Sequence, residues 1–468
     1  MLKGLEIREI SFFEIAETDL IRLESEFYTA PTFDLNFPYT GEEIIDFVQY
    51  GTSKELNEDK EGYPILRLNE FDSFFISEPS KYCSIIDKDT YQSLQLKKND
   101  VLICRTNGNY RYVGKSAIVP DDYNFAYASY LFKIRPKSEL INSSTLVSYL
   151  NSKYGRKEIE KYSMASNQVN FSPSKFRQLR IPSFGIEFNK SIEASIYNSF
   201  ELLRKSQNLY SLAENLLLEE IDLENFKPNS EGVNIKTLSN SFGKTGRLDA
   251  EYYQPKYDEI LEKIKSQPYN SLINIVSIKK SIEPGSKNYS EEGLPFLRVA
   301  DYSKFGLTVP QKYLTSDFVS ENKDKIKTLK PKKGTIIFSK DGSVGTAYHL
   351  REDFNGITSG AILHLKVKDE SKIIPEYLTL ALNSQVVQMQ AERDAGGSII
   401  LHWRVSEIEN VLVPVIDYKK QQEIAALVEE SFALKKQSEH LLEVAKRAVE
   451  IAIEDGEEEA LQYINQNN

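Results

Sequence analysis

The chain is poor in the residues that carry most metal and redox chemistry. Its 468 residues include two Cys, one Trp, three Met and four His. Cys83 and Cys104 imply no disulfide framework and fit a reducing cytosol. His349, His364, His402 and His440 are scattered, without metal-ligand spacing. There is no long apolar run of the kind that spans a bilayer, and the opening MLKGLEIREI lacks a signal-peptide layout, so a cytoplasmic protein is expected. Neither G-x-x-x-x-G-K-[ST] nor G-x-G-x-x-G occurs, which removes the common phosphate- and dinucleotide-binding loops. Basic charge is also in deficit. A net charge of −11 argues against a uniformly basic nucleic-acid coat and leaves room only for a local basic face. One stretch, 145–180, runs the other way: Lys153, Arg156, Lys157, Lys161, Lys175, Arg177 and Arg180 outnumber Glu158 and Glu160.

What the chain does have is a long internal repeat. Arg22-Leu23-Glu24-Ser25-Glu26-Phe27-Tyr28 returns as Arg247-Leu248-Asp249-Ala250-Glu251-Tyr252-Tyr253. Gly62-Tyr63-Pro64-Ile65-Leu66-Arg67 returns as Gly293-Leu294-Pro295-Phe296-Leu297-Arg298. Leu150-Asn151-Ser152 returns as Leu382-Asn383-Ser384, and Pro182 as Pro414. The order is kept and the offset drifts only from 225 to 232. This is too long for a solenoid turn and long enough for a domain with its own core. Two diverged copies on one chain suggest a two-part target, one part per copy.

Each copy reads as the same series of elements. The acidic and aromatic residues of the opening motif recur at helical spacing, which predicts a helix. Pro64–Leu68 and Pro295–Val299, each entered through Gly-x-Pro, predict a strand. Then come Asp100-Val101-Leu102-Ile103-Cys104-Arg105-Thr106-Asn107-Gly108 and Gly334-Thr335-Ile336-Ile337-Phe338-Ser339-Lys340-Asp341-Gly342-Ser343-Val344-Gly345. Both predict strand, Asn-Gly or Asp-Gly turn with positive φ, strand. Copy one inserts Asn109-Tyr110-Arg111-Tyr112 in this turn, a place where the copies can differ in what they touch. Short helices are expected around 144–154 and 374–385, polar turns at 163–174 and 395–404, and strands ending at Pro182 and Pro414.

Each copy closes on a long helix without internal Pro. Ile196, Ser199, Leu203, Ser206, Tyr210, Ala213 and Leu217 alternate by three and four, as do Ile424, Leu427, Ser431, Leu434, Ser438, Leu441, Ala445 and Ala448. That is a coiled-coil seam with small residues that favour close approach. Pairing of the two helices with each other is preferred over each lying on its own domain.

Two decoys lead nowhere. Asn36-Phe37-Pro38-Tyr39 approaches the Asn-Pro-Pro-Tyr loop of amino-methyltransferases, but Phe37 stands where a Pro is needed and no glycine-rich cofactor loop accompanies it. The 69 Asp and Glu residues form no nuclease-like constellation that repeats between copies.

Taken in this order, twice, the elements resemble the specificity subunit of type I restriction–modification systems. The stretch Ile336–Gly345 carries the resemblance most closely. Ser166-Asn167-Gln168-Val169-Asn170-Phe171-Ser172 resembles the family's polar turn with its Gln, whereas copy two departs there with Gly397-Ser398-Ile399-Ile400-Leu401-His402-Trp403. The resemblance implies an α+β chain of two similar target-recognition domains, each followed by a long helix, the helices pairing as an antiparallel coiled-coil spacer. The corresponding boundaries are 1–185 for the first domain, 186–222 for its helix, 223–234 for a linker, 235–416 for the second domain, 417–455 for its helix and 456–468 for a C-terminal tail. It implies a non-catalytic reader of double-stranded DNA, each domain taking half of a bipartite target. The partners would be DNA adenine methyltransferase subunits, expected to be two, and a translocating restriction nuclease. No cofactor is expected in this chain, with S-adenosylmethionine, magnesium and ATP confined to partners.

Arg and Lys suit guanine edges, and Asn and Gln suit adenine. The candidate DNA-binding residues are therefore Arg105, Asn107, Asn109, Arg111 and Lys115 around the first turn, and Asn167, Gln168, Asn170, Lys175 and Arg177 in the first polar loop. Copy two offers Lys340, Asp341, Ser343, His402, Trp403 and Arg404. Arg67 and Arg298, at equal positions, are expected to share a role as phosphate contact or ion pair. Three other readings stay open: a helical assembly scaffold without sequence reading, a specificity subunit for a fused methyltransferase–nuclease, and an enzyme with an unrecognised site.

Overall fold

The computed structural model describes residues 9–12, 28–29, 37–71, 74–163, 170–229, 233–397 and 399–468. The chain divides into two compact units, Met1–Arg204 with Lys435–Asn468, and Lys205–Leu434.

In the first unit Val101–Cys104, a β-prone run buried at every position, lies inside a four-stranded antiparallel sheet. Its neighbours are Ser116–Ile118 and Leu131–Pro136, with Ile45–Tyr50 beyond the latter. A second sheet centres on Tyr63–Leu66, antiparallel to Lys81–Cys83 and parallel to Ala126–Tyr127. Tyr39–Thr40 pairs with Arg180–Ile181. In the second unit Ile336–Ser339 takes the central place, between Ala347–His349 and Ile362–Val367, with Val276–Lys280 beyond. Leu294–Leu297 runs antiparallel to Lys312–Leu314 and parallel to Ile357–Thr358. Tyr269–Ser271 pairs with Leu412–Pro414. The sequence repeat is thus a repeat of strand order.

The recurring Leu-Asn-Ser has a mechanical explanation. Ser116–Ile118 and Ala347–His349 each lie at a sheet edge. Asn151 supplies the missing partner to the first, accepting from Ser116 N at 3.2 Å and donating to Ser116 O at 2.8 Å. Asn383 does the same for Ala347 at 3.0 and 2.8 Å. The following Ser turns the chain, Ser152 Oγ donating to Tyr149 O and Ser384 Oγ to Ala381 O. One helix was expected here in each copy. The structure has two, Ser143–Asn151 then Lys153–Ser163, and Pro375–Asn383 then Gln385–Asp394, because this Ser breaks the helix.

The long helices are Ile186–Glu220 and Tyr418–Glu454, and they pack together. Within the second unit Ser206 meets Ser431 while Glu220 reaches Lys420 at 3.2 Å, which makes the pairing antiparallel. Within the first unit Ser199 meets Ser438, one heptad along each helix from the other Ser pair. Ser199 Oγ donates to Ser438 O at 2.9 Å and Ser431 Oγ to Ser206 O at 2.7 Å, so these buried hydroxyls are satisfied across the seam.

Other expectations need correction. Arg22–Phe27 of the opening motif lie outside the described residues, whereas Tyr28 is buried in the first core. In copy two the motif is a single 3₁₀ turn, Ala250–Tyr253, because Pro255 starts the helix proper, Pro255–Lys265. Arg247 is held by Asp249 and donates to Asp394 O at 2.9 Å. The segment 456–468 is no tail: Glu457–Asn467 is a helix whose Ala460 and Ile464 join the first unit's core. Of the two roles expected for Arg67 and Arg298 the ion pair is present, with Glu70 at 2.8 Å and Asp301 at 3.3 Å, each closing a 3₁₀ turn. Phe37 is packing, edge-on to Tyr149 at 6.0 Å with the Arg180 guanidinium above it, while Asn36 is outside the described residues.

Candidate nucleic-acid interface

In both units the residue that follows the central strand is cationic, and the polar loop is tied to it. Arg105 N donates to Tyr130 O at 2.7 Å and Arg105 O accepts from Phe171 N at 2.8 Å. Lys340 N donates to Ala361 O at 2.8 Å and Lys340 O accepts from Trp403 N at 2.7 Å. Bridges between Thr106 and Asn170, and between Asp341 and His402, extend each tether. Residues far apart in sequence therefore meet at the end of the hairpin.

Phe171 and Trp403 are the plugs of this joint, 0% and 1% exposed. Trp403 packs on Phe338, with ring centres 5.8 Å apart. It is a core residue, and its place among the expected DNA contacts is withdrawn, because a fully buried indole has no surface to offer a base.

Around the first hairpin, Asn107 and Asn109 are spent on local geometry. Asn107 Oδ1 accepts from Asn109 N at 2.8 Å, and Asn109 Oδ1 from Arg111 N at 3.1 Å, capping the 3₁₀ turn Tyr110–Tyr112. These bonds use the side-chain oxygens. The turn also rests on Arg156, whose Nη2 donates to Arg111 O and Val113 O at 3.2 and 2.8 Å. Of the two turn glycines expected at positive φ, Gly342 has φ +74° and Gly108 does not; in the first hairpin the left-handed residue is Gly114, with φ +78°, whose counterpart Gly345 has φ +83°. A Cβ on Gly114 would lie 2.3 Å from Ile159 Cγ2. The cations here lie against exposed aromatics: Arg105 is 5.4 Å from the Tyr50 ring centre and Lys115 Nζ 4.1 Å from that of Tyr112. Arg111 is exposed beside Tyr110.

Asn167 and Gln168 lie outside the described residues. Lys175 and Arg177, expected in the polar loop, stand on the short helix Pro173–Arg177. Lys175 Nζ donates to Asn170 O at 2.7 Å, and Arg177 pairs with Glu42 at 2.8 Å. The side-chain oxygen of Asn170 is buried without a hydrogen-bond partner.

In the second unit Lys280, Lys340, Asp341, His402 and Arg404 line an open cleft of about 480 Å³. Asp341 holds Lys340 Nζ on one side and His402 Nδ1, at 2.8 Å, on the other. Arg404 is paired with Glu407 at 2.6 Å. The His402 and Arg404 ends of these pairs are exposed, and pairs exposed to solvent are worth ~0–1 kcal/mol, so an incoming phosphate or base edge can take over His402 or Arg404 at little cost. Ser343 is exposed on the turn. Lys280 was missed: it arrives from the far edge strand, and no local pattern in the sequence marks it. Tyr50 reaches Arg105 in the same way. Ile399, Ile400 and Leu401, 95%, 55% and 41% exposed, form an apolar tip beside the cleft.

Among the described residues no cluster of His, Cys, Asp and Glu could hold a metal ion, and no helix is long and apolar enough to cross a membrane. Burial pushes the Cys104 thiol up to about 11, far from the range of a nucleophile at neutral pH.

A duplicated α+β domain, each copy leading into a long helix that pairs with its counterpart, defines the class. The family model for the type I restriction modification DNA specificity domain matches residues 42–183 and 269–444. A putative type I restriction enzyme MjaX specificity subunit from Methanocaldococcus jannaschii is 22% identical over 421 residues, covering 87% of this chain and 90% of that one. Among solved structures, the S subunit of a type I restriction–modification system from M. genitalium aligns with TM-score 0.37 and 15% identity, over 92% of this chain and 97% of that one. The HsdS subunit from Thermoanaerobacter tengcongensis aligns with TM-score 0.30 and 14% identity, over 92% and 100%. The family model covers well over half of the chain, and the chain belongs to the type I restriction–modification DNA specificity family, whose members are non-catalytic.

Proposed function

We propose that each unit reads one half of a split DNA sequence, that the paired helices set the gap, and that they dock methyltransferase subunits. The observation that carries this reading is the pattern of divergence. The strand order, the Asn151 and Asn383 supports and the cationic tethers are common to both units, while the hairpin turn and the tethered loop differ. A shared frame with two different tips is what two different half-sites require. The readers would be Arg105, Arg111, Lys115, Asn170, Lys175 and Arg177 with Asn167 and Gln168 in the first unit, and Lys340, Asp341, Ser343, His402 and Arg404 with Lys280 in the second. Asn107 and Asn109 would contribute through their amide nitrogens, their oxygens being engaged. Chemistry would belong to partner chains: adenine methylation from S-adenosylmethionine, and cleavage coupled to ATP and magnesium in a nuclease subunit. The acidic total of this chain then needs basic surface from a partner to hold DNA.

The test is methylation mapping across the genome in cells with and without this chain, the methyltransferase being kept. Loss of methylation at one split motif supports the reading. An unchanged pattern sinks it and favours an assembly scaffold. Replacing Lys340 and Arg404 by Ala should alter one half of the motif only, and alteration of both halves would contradict the division of labour.

A further inference from the structure

We propose that the apolar tip Ile399-Ile400-Leu401 reads thymine methyl groups in the major groove of the half-site taken by the second unit, an inference that rests on the function proposed above.

Three adjacent branched aliphatic residues on the surface are an unfavourable arrangement for a chain in water, and exposed apolar groups gathered in one place mark contact sites. This tip is held in place. The loop that carries it is closed by bridges from His402 to both Gly396 and Asp341, and Gly342 N donates to Leu401 O at 2.9 Å. Gly397, with φ +140°, makes the bend, and a Cβ there would lie 2.0 Å from Ile400 O. The tip is thus fastened to the turn of the central hairpin rather than free to fold back onto the core.

Its surroundings select the occupant. Lys280, Lys340, Asp341, His402 and Arg404 line the cleft next to it in sequence, and among the described residues the Lys280 side chain, on a strand whose backbone pairs it with Leu363, has no ion pair or hydrogen bond. Cations suit phosphate and the acceptor edges of bases, while an aliphatic tip suits the one apolar group that a base pair presents in the major groove, the thymine C5 methyl. The first unit carries Asn167, Gln168 and Asn170 in its loop, so the two half-sites would be read by different chemistry, hydrogen bonds in one and methyl contact in the other.

The experiment measures binding of the full-length chain, assembled with its cognate methyltransferase, to its target duplex. Each thymine of the second half-site is replaced in turn by deoxyuridine, which removes only the methyl. The expected result is a roughly 4- to 10-fold loss of affinity at one or two positions. In the double variant Ile399→Ser with Ile400→Ser that loss should disappear, and in Ile399→Val with Ile400→Val it should persist. Four results would overturn the proposal: base changes in that half-site weaken binding but no deoxyuridine does; the half-site holds no A·T pair; the Ser variant keeps its sensitivity to the methyl; or the Ser variant fails to assemble with the methyltransferase, which makes the tip a protein contact. If base changes in neither half-site matter, the proposed function itself fails and takes this inference with it.

Discussion

The two units place their buried charge differently on one frame. Position for position, Val101–Cys104 corresponds to Ile336–Ser339, and the neighbouring strand carries Lys133 in one unit and His364 in the other. Lys133 is 3% exposed and faces Asp100, 0% exposed, at 3.4 Å, while Arg135 reaches the same carboxylate at 2.6 Å. Burial pushes the Lys133 ammonium below its usual value, and Asp100 resists that. The second unit has Thr335 in place of Asp100, so its buried base must be one that can stay neutral. His364 bonds Thr358 Oγ1 at 2.9 Å, and burial, with a smaller push from Lys279, holds it down to about 4. A frame that tolerates an ion pair or a neutral histidine at one position shows that the common fold rests on apolar strand packing and backbone pairing, not on a particular polar pair.

The faces that meet the long helices differ in the same way. In the first unit Ser116–Ile118 is buried throughout, and Phe75 lies on Phe200 at 5.4 Å. In the second unit His349 takes the place of Ile118, and Phe305 lies on Tyr210 at 5.0 Å as Phe75 does on Phe200. Arg351 stands 3.9 Å from the Phe432 ring centre. His349 Nδ1 is 3.0 Å from Glu376 Oε1, at ion-pair distance but outside hydrogen-bond alignment. Burial pushes the Glu376 carboxyl up, and the imidazole more than offsets this, so it sits below the usual range.

The sharpest break in the comparison is Asp100→Ala. It strands a buried ammonium and should cost about 3–5 kcal/mol in the first unit, read by chemical denaturation. Thr335→Ala, at the matching place, should stay within about 0.5 kcal/mol. Equal losses would mean that the two sites are not the different solutions described here.

Acid should distinguish the units next. The folded-state value of His364 lies below that of the unfolded chain, so the unfolded chain binds the extra proton first. The stability of the second unit is therefore full above pH 6.5 and falls as pH drops towards about 4. The slope is ~1.4 kcal/mol per pH unit and the total about 3 kcal/mol. Trp403, the one tryptophan, lies in this unit's core and reports its unfolding by fluorescence. His364→Asn should flatten the slope between those pH values, and an unchanged slope would place the acid sensitivity elsewhere.

Asn151→Ala and Asn383→Ala probe what the units share. Each removes two bonds to an edge strand and should cost about 2 kcal/mol, equally in both units. A clear inequality would show that the frame is not common. Smallest is the serine seam: Ser199→Ala should cost about 1 kcal/mol, and the double variant with Ser438→Ala little more, since no hydroxyl is left unsatisfied. A double-mutant cycle without coupling would deny the hydrogen bond between them.

The sequence alone determined the duplication, the central strands and the coiled-coil seam. Each of these is written in local periodicity or in residues that recur in order, such as Ser199, Ser206, Ser431 and Ser438 at helical spacing. Tertiary structure decided what depends on residues distant in sequence. It buried Trp403, because the backbone bond to Lys340 turns the indole inward. It spent Arg67 and Arg298 on ion pairs and folded 457–467 back onto the first unit. It also brought Lys280 from the far edge strand to one cleft with Lys340, His402 and Arg404. Periodicity reports which face of an element is apolar, but only the packed chain decides which faces meet.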